Sequence, residues 1–204
     1  MKLTAQAGKK DKIHILIDGV YQTTVDALYF STCGFRDGAE LTQEQAAAFL
    51  RDAHFRRAFN KGASLLSYQD RTRRQLLERL EPDFGAEAAA AAVDRLEELR
   101  LVDDARYAET FANELLRRKK MSPRRIRQEL LSRGIDRETA DEAVDALEFD
   151  GESVLLDLLE TKYRGKYVDE KGYRRTVAAL QRLGYGYGDI RAAMREAQAQ
   201  DYEE

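Results

Sequence analysis

The sequence contains no tryptophan, one cysteine, two histidines and two prolines among its 204 residues. The single cysteine, Cys33, cannot form a disulfide within the chain, and no histidine stands near it as a base or co-ligand. We therefore interpret Cys33 as a small buried hydrophobic residue. The two histidines, His14 and His54, lack the spaced partners of a metal site or a catalytic triad. The sequence thus predicts neither a thiol nucleophile nor a metal centre.

Long apolar runs are also missing. No segment approaches the roughly 20 residues of a membrane-spanning helix, and the N-terminus lacks the charged, apolar and small-residue order of a signal sequence. We therefore expect a cytoplasmic protein. The chain has no Gly-rich loop followed by Lys and Ser/Thr, which would cradle a phosphate, and no Ser/His/Asp set. We expect no cofactor and no enzymatic activity.

The sequence does contain one segment with strand periodicity. Residues 12–17 alternate, Asp18 and Gly19 suit a type I′ turn, and residues 20–25 read as the returning strand. This predicts a β-hairpin in an N-terminal segment, residues 1–41, with strands confined to about residues 10–30. A lone hairpin is marginal in water, so it should gain a further strand or pack on residues 27–41.

The rest of the chain, residues 42–200, is predicted to be helical and internally repeated. Thr42 and Gln45 form a capping-box pattern that begins it. Residues 122–126, followed by a leucine and a Gly-bearing turn, recur about 50 residues earlier and about 50 residues later; in the first copy Pro82-Asp83 takes the place of the turn. Each copy is a short helix, a turn and a second helix, preceded by a longer helix such as residues 104–119.

The predicted fold is therefore mainly α, with three tandem three-helix repeats in an elongated array after the hairpin segment. The expected boundaries are residues 42–103, 104–150 and 151–204, the last with an acidic C-terminal tail. Units of this size bury their apolar faces by stacking on each other. Because a contiguous array buries its own core, we expect a monomer. The alternative is a generic helical bundle with accidental similarity among its helices.

Several segments resemble the RecX family: residues 101–108, which contain Asp-Asp-x-Arg-Tyr-Ala, residues 122–130 and 133–135, and the head segments 17–21 and 35–41. The resemblance spans nearly the whole chain. It implies a protein that binds the RecA nucleoprotein filament and restrains its strand exchange, ATP turnover and coprotease activity, within DNA repair, recombination and the SOS response. The glycine-rich turn 184–188 and the acidic end, residues 201–204, depart from the family pattern.

Structural roles are expected for the motif residues Asp103, Asp104 and Tyr107 and for the turn glycines Gly134 and Gly184. The adjacent carboxylates could suggest acid–base or metal chemistry. However, an aspartate just before Ala105 caps a helix and is favoured by the positive N-terminal end of the helix dipole, and we prefer that interpretation.

Charge is sorted along the chain, although the net charge is only −3. Residues 117–137 carry nine Lys/Arg against two acids, a net of +7, and residues 138–150 carry six acids and no base. The predicted partner-binding residues are Arg71, Arg73, Arg74, Arg117, Arg118, Lys119, Lys120, Arg124, Arg125, Arg127, Arg174 and Arg175.

Most of these arginines are predicted at the starts of the second helices of the repeats, as exposed side chains. A cation there opposes the helix dipole, so folding alone does not favour the placement, whereas phosphate or carboxylate partners would. Solvated helix-forming arginines are the alternative explanation. The Arg117–Lys120 run is weaker evidence, because cations are favourable at a helix C-terminus.

Three function classes follow from these observations. The first is a regulator that docks on a recombinase filament, with direct contact to its single-stranded DNA left open. The second is a free-standing nucleic-acid binder, against which the pI of about 5.6 and the acidic third helices argue. The third is a scaffold that stacks on other helical proteins.

Overall fold

The structure, a computed structural model, describes residues 1–201, which divide into two compact units, residues 1–102 and 103–201. Of the acidic end 201–204, only the backbone of residue 201 is among the described residues. The elements in chain order are β1 (Leu3–Ala7), β2 (Lys12–Ile17), β3 (Val20–Asp26), α1 (Ala27–Thr32), α2 (Gln43–Leu66), α3 (Arg73–Phe84), α4 (Ala86–Glu98), α5 (Asp104–Lys119), α6 (Pro123–Ser132), α7 (Arg137–Asp145), α8 (Gly151–Glu160), α9 (Glu170–Arg182) and α10 (Tyr187–Asp201). The predicted fold class, mainly α with a small N-terminal β segment, is confirmed. Among residues 1–201, no helix combines the length and apolarity needed to cross a bilayer.

The N-terminal unit begins with an antiparallel sheet of order β1-β2-β3. The expected hairpin is β2–β3, and β1 is the further strand that stabilises it. Strand β1 lies outside residues 10–30, so the prediction that strands are confined to that range was wrong. The Leu3 side chain of β1 is fully buried and anchors the strand. In β3, Thr23 pairs with Ile15 and Tyr21 with Leu16, which leaves Gln22 as a bulge in this edge strand.

Helix α2 serves two apolar clusters. Its first half begins at the predicted capping box, with Thr42 accepting from the Gln45 amide at 3.1 Å, and packs Phe49 against the sheet. Its second half packs on α3 and α4, and a Cβ on Gly62 would lie only 2.7 Å from Leu96 Cδ1. Cys33 is half-buried against the first cluster. The sheet and the first three-helix group are therefore joined by one continuous helix.

The histidines occupy structural positions. The His14 ring nitrogen Nδ1 lies 2.8 Å from Thr24 Oγ1 across the β2–β3 pair. Burial in α2 lowers the pKa of His54, and the neighbouring Arg57 cation lowers it further. Each histidine is accounted for by its packing.

The turn in the first repeat differs from expectation. Pro82 lies inside α3, and the turn is Gly85 alone, whose φ of +80° both ends α3 and begins α4. A left-handed backbone is open to glycine at little cost, so one residue suffices for the reversal. Leu76 and Leu80 of α3 pack with Val93 of α4 to form the core of this group.

The C-terminal unit holds two apolar clusters, one built by α5, α6 and α7 and one by α8, α9 and α10. Helix α5 has the predicted bounds and is longer than α6 and α7. Helix α8, with 10 residues, is shorter than α9, with 13, so the third group lacks the long leading helix that was expected. The division of the chain into a head and three repeats at the stated residues stays a prediction.

The two clusters of the C-terminal unit meet at the turn after α9. The Ser122 amide donates to the Leu183 carbonyl at 2.9 Å, and the Tyr185 hydroxyl donates to the Lys120 carbonyl at 2.8 Å. Gly184 has φ +97°, and a Cβ there would lie 2.2 Å from Ser122 Oγ. The glycine therefore lets the turn seat directly on the start of α6.

Candidate interaction surface

Of the arginines at the start of α6, two form ion pairs within the protein and one is exposed to solvent. Ser122 caps this helix, and Arg124 and Arg125 lie in its first turn. The Arg125 guanidinium extends along the helix to Glu129, one turn later, at 2.5 Å. Arg127 Nη2 donates to Asp141 of α7 at 2.7 Å. Both side chains are half-buried, so the expectation that they are exposed was wrong. Only Arg124 is exposed.

The first repeat uses its arginines in the same way. Arg73, at the first position of α3, pairs with Asp94 and, at 3.4 Å, with Glu97 of α4. Arg74 pairs with Glu78 one turn later, at 3.5 Å. Arg71 precedes the cap and is half-buried. Intramolecular carboxylates therefore supply a reason for cations that oppose the helix dipole, a reason that sequence reasoning did not foresee.

Arg174 and Arg175 do not lie at a helix start, and that prediction was wrong. Asp169 caps α9 by accepting from the Gly172 amide at 2.6 Å, so the helix begins at Glu170, and both arginines fall in its second turn. Arg174 pairs with Glu170, whereas Arg175 is exposed.

The basic residues 117–120 lie at the C-terminal end of α5, where the helix dipole favours positive charge. Arg118 pairs with Glu114 at 3.0 Å, and Lys120, left-handed at φ +54°, pairs with Asp157 of α8 at 3.3 Å. Arg117 and Lys119 are exposed and form no ion pair with the described side chains, residues 1–199. The same holds for Arg124.

Of the twelve predicted residues, therefore, four are exposed and form no ion pair with residues 1–199: Arg117, Lys119, Arg124 and Arg175. Arg117, Lys119 and Arg124 lie within eight positions of each other around the α5–α6 turn. We call these three residues the α5–α6 cations. The paired arginines are already neutralised and would have to give up a carboxylate to bind a partner.

The acidic motif has the geometry of a helix cap. Asp103 Oδ1 accepts from the Arg106 amide at 2.9 Å, and Asp104 occupies the first helical position. Tyr107 is half-buried and stacks on Phe111 with ring centroids 5.7 Å apart. In the described part of the chain, no three His, Cys, Asp or Glu side chains gather as metal ligands would. The arrangement stabilises the start of α5.

We expect Asp103→Ala to lower the free energy of unfolding by about 1 kcal/mol, because the amide of Arg106 loses its acceptor. Asp103→Asn keeps an oxygen at the same place and should retain most of the stability. Urea denaturation followed by circular dichroism measures both values. Equal losses in the two variants would mean that the carboxylate charge, not the cap, is what the protein requires.

Of a second basic region, sequence reasoning identified only Arg174 and Arg175. Residues 161–195 carry nine Lys/Arg against three acids and five of the ten tyrosines, a signal that counting would have found. In the structure, Lys166, Lys171 and Arg175 line a cleft of about 610 Å³ between the α8–α9 loop and α9. The α8–α9 loop is residues 161–169.

Comparison with protein-family models gives two matches. The model of the RecX second three-helix domain matches residues 103–144, and the model of the RecX first three-helix domain matches residues 58–96. The first of these ranges covers α5, α6 and all but the last residue of α7, and the second runs from the second half of α2 to residue 96 near the end of α4. Both matched ranges therefore coincide with three-helix groups of the structure.

Curated relatives and solved structures agree with these matches. The chain is similar to the regulatory protein RecX of Caldanaerobacter subterraneus subsp. tengcongensis, with 34% identity over 140 residues that cover 68% of this chain and 71% of the relative. It is 28% identical to that of Clostridioides difficile strain 630 over 95% of this chain and 92% of the relative. A crystal structure of regulatory protein RecX superposes with a TM-score of 0.65 at 24% identity, covering 95% of this chain and 98% of that one. The crystal structure of RecX from Lactobacillus salivarius superposes with a TM-score of 0.60 at 23% identity, covering 72% of this chain and 97% of that one. These structural likenesses support the fold.

Proposed function

Because the chain belongs to the RecX family, we propose that it is a non-enzymatic regulator that binds a RecA-type recombinase filament and inhibits its strand exchange, ATP turnover and coprotease activity. Two facts support this proposal. The relatives are named regulatory proteins, and the models of two RecX three-helix domains match this chain. The protein acts as a monomer in this proposal.

The observation that carries the proposal is the unneutralised charge at the α5–α6 turn. The chain has a net charge of −3, yet residues 117–137 have a net of +7, and the α5–α6 cations have no ion-pair partner among residues 1–199. Folding gains nothing from Arg124 in the first turn of α6, where a cation opposes the dipole. An anionic partner surface provides the compensating interaction.

A binding comparison tests the proposal and separates the function classes. The protein is titrated into a preformed RecA filament, into the same single-stranded DNA without recombinase, and into recombinase without DNA, over a salt series. We expect the filament to bind at least about tenfold more tightly than either component, a difference of about 1.4 kcal/mol. Equal affinity for naked DNA would identify a free-standing nucleic-acid binder, and no binding to filament or DNA would favour a helical scaffold. The functional readout is the rate of ATP turnover by the filament, which should fall when the protein is bound.

We expect the triple variant Arg117→Gln, Lys119→Gln, Arg124→Gln to bind the filament about tenfold more weakly and with a shallower dependence on salt, because fewer charge contacts form. The matched control is Lys9→Gln, Arg36→Gln, Lys61→Gln, which removes three exposed cations elsewhere. The control should bind within about twofold of the parent. If both triple variants bind alike, the α5–α6 cations are solvent-facing residues without a partner, and the filament contact lies on another surface.

A further inference from the structure

The α8–α9 loop has two anchors and an exposed span between them. Tyr167 is buried in the cluster of α8, α9 and α10, and Tyr163 packs against the same cluster. Between and beside these anchors stand Lys162, Lys166 and Val168, and the Val168 side chain is 86% exposed. The loop therefore presents two cations and an apolar side chain to solvent on a backbone that is held at two points.

The loop is held against α9 by a close backbone approach. A Cβ on Gly172 would lie 2.2 Å from the carbonyl oxygen of Lys166, so only glycine lets the loop pass this close to the helix. The approach places Lys166 beside Lys171 and Arg175, which are one turn apart on α9. The three cations therefore line a cleft that is formed before any ligand arrives, which lowers the entropic cost of binding.

The charge in this cleft is not balanced by the fold. Its one acidic lining residue, Asp169, already accepts from the Gly172 amide as a helix cap. The Lys166 ammonium donates to the Lys162 carbonyl, a neutral group, at 2.5 Å. Lys171 and Arg175 are exposed and have no ion-pair partner among the side chains of residues 1–199. Three cations against one engaged carboxylate leave a site of net charge +2 for an anion.

We propose that this cleft, formed by Lys166, Lys171 and Arg175 with Tyr163 and Val168 at its sides, binds the backbone of single-stranded DNA. The inference rests on the proposed function for its setting, a strand held in a filament, but its test needs no filament. The cations contact phosphates. The Tyr163 ring, with the ammonium groups of Lys162 and Lys166 at 5.4 and 5.9 Å from its centroid, and the exposed Val168 offer apolar surface to a sugar or base.

The composition of the cleft favours a nucleic acid over an acidic protein. Two of its three cations are lysines, and lysine is depleted at protein–protein interfaces, whereas it is a common point-charge ligand of phosphate. The surrounding residues 161–195 repeat this bias, with a net charge of +6 and five tyrosines on a chain of net charge −3. A strand of regularly spaced phosphates with stacking bases matches such a mixture.

The test uses the full chain and a fluorescein-labelled single-stranded oligothymidylate, with binding followed by anisotropy over a salt series. The variant Lys166→Gln, Lys171→Gln, Arg175→Gln should bind at least about tenfold more weakly at about 0.1 M salt, and its slope of log affinity against log salt should fall by about 2, since each single-strand contact contributes about 0.7. The control Lys9→Gln, Arg36→Gln, Lys61→Gln has the same net charge and should stay within about twofold of the parent. Equal affinity of the two variants would overturn the proposal, as would a parent that does not bind the oligonucleotide at low salt.

Gly172→Ala tests the shape of the cleft without changing its charge. The added Cβ must displace the loop, and we expect affinity for the oligonucleotide to fall by at least about threefold while circular dichroism is unchanged. Unchanged affinity would overturn the assignment to this cleft.

Poly-glutamate at equal charge concentration should compete poorly with the oligonucleotide for the protein. If it competes as well as the oligonucleotide does, the cleft recognises acidic protein instead. A parent that binds the oligonucleotide through the cleft but not the filament would leave this inference standing and refute the proposed function.

Discussion

Replacing Gly184 with alanine is expected to lower the free energy of unfolding of the C-terminal unit by about 2–5 kcal/mol. A residue with a Cβ at φ +97° carries about 1–2 kcal/mol of backbone strain. The new Cβ would also lie 2.2 Å from Ser122 Oγ and 2.6 Å from Arg125 Cβ, so the contact between the α9–α10 turn and α6 must open, at a further cost of about 1–3 kcal/mol.

Gly188→Ala is the matched control in the same glycine-rich segment, residues 184–188. Gly188 lies inside α10, its φ is not positive, and a Cβ there meets nothing within 4 Å. Alanine should therefore stabilise the helix by up to about 1 kcal/mol. Urea denaturation followed by circular dichroism measures both variants. A Gly184→Ala protein as stable as the parent would show that the turn does not seat on α6 in solution.

The second large effect is expected inside α6. Leu130 is 0% exposed within the cluster of α5, α6 and α7, and Leu130→Ala should lower the free energy of unfolding by about 2–5 kcal/mol through lost burial and the cavity left behind. The neighbouring Leu131 is 37% exposed, so Leu131→Ala should cost less than about 1 kcal/mol. Thermal and urea denaturation of the two variants provide the comparison.

This pair also tests the orientation of α6, because adjacent helical residues point about 100° apart. If the two alanine variants were equally unstable, the helix would bury a different face from the one described. The direction of Arg124 toward solvent depends on the same orientation.

Elements determined by local interactions were predictable from sequence. Helix α5 has its predicted bounds because Asp103 caps its first turn and the buried positions Ala108, Ala112 and Leu115 repeat at helical spacing. The capping box at Thr42 marks the start of α2 for the same reason. These signals lie within a few residues of the boundary they define.

The predictions that were wrong concerned side chains whose partners lie far away in the chain. The partners Arg127 and Asp141 are 14 residues apart, and Arg73 and Asp94 are 21 apart, so each pair exists only because of the angle between two helices. A one-dimensional charge pattern cannot supply that angle. The arginines were therefore interpreted as free when the fold already neutralises several of them.

The start of the helix that contains Arg174 was predicted wrongly because the repeat pattern was followed in preference to a local capping signal. The equivalence of Arg174 with Arg124 placed it in a first turn, but the Asp169–Gly172 cap moves the helix start upstream. The loop before this cap has no counterpart in the repeated pattern, and the basic cleft lies there. A repeat pattern in the sequence therefore carries no information on this loop.

The bulge at Gln22 has a consequence for how the protein behaves at high concentration. β3 is an edge strand, and an unbroken edge exposes a regular ladder of backbone donors and acceptors onto which another chain can add. The unpaired residue between Tyr21 and Thr23 interrupts that ladder and increases the local twist. The β3 edge of the sheet should therefore resist strand addition from neighbouring molecules, which protects this edge from aggregation.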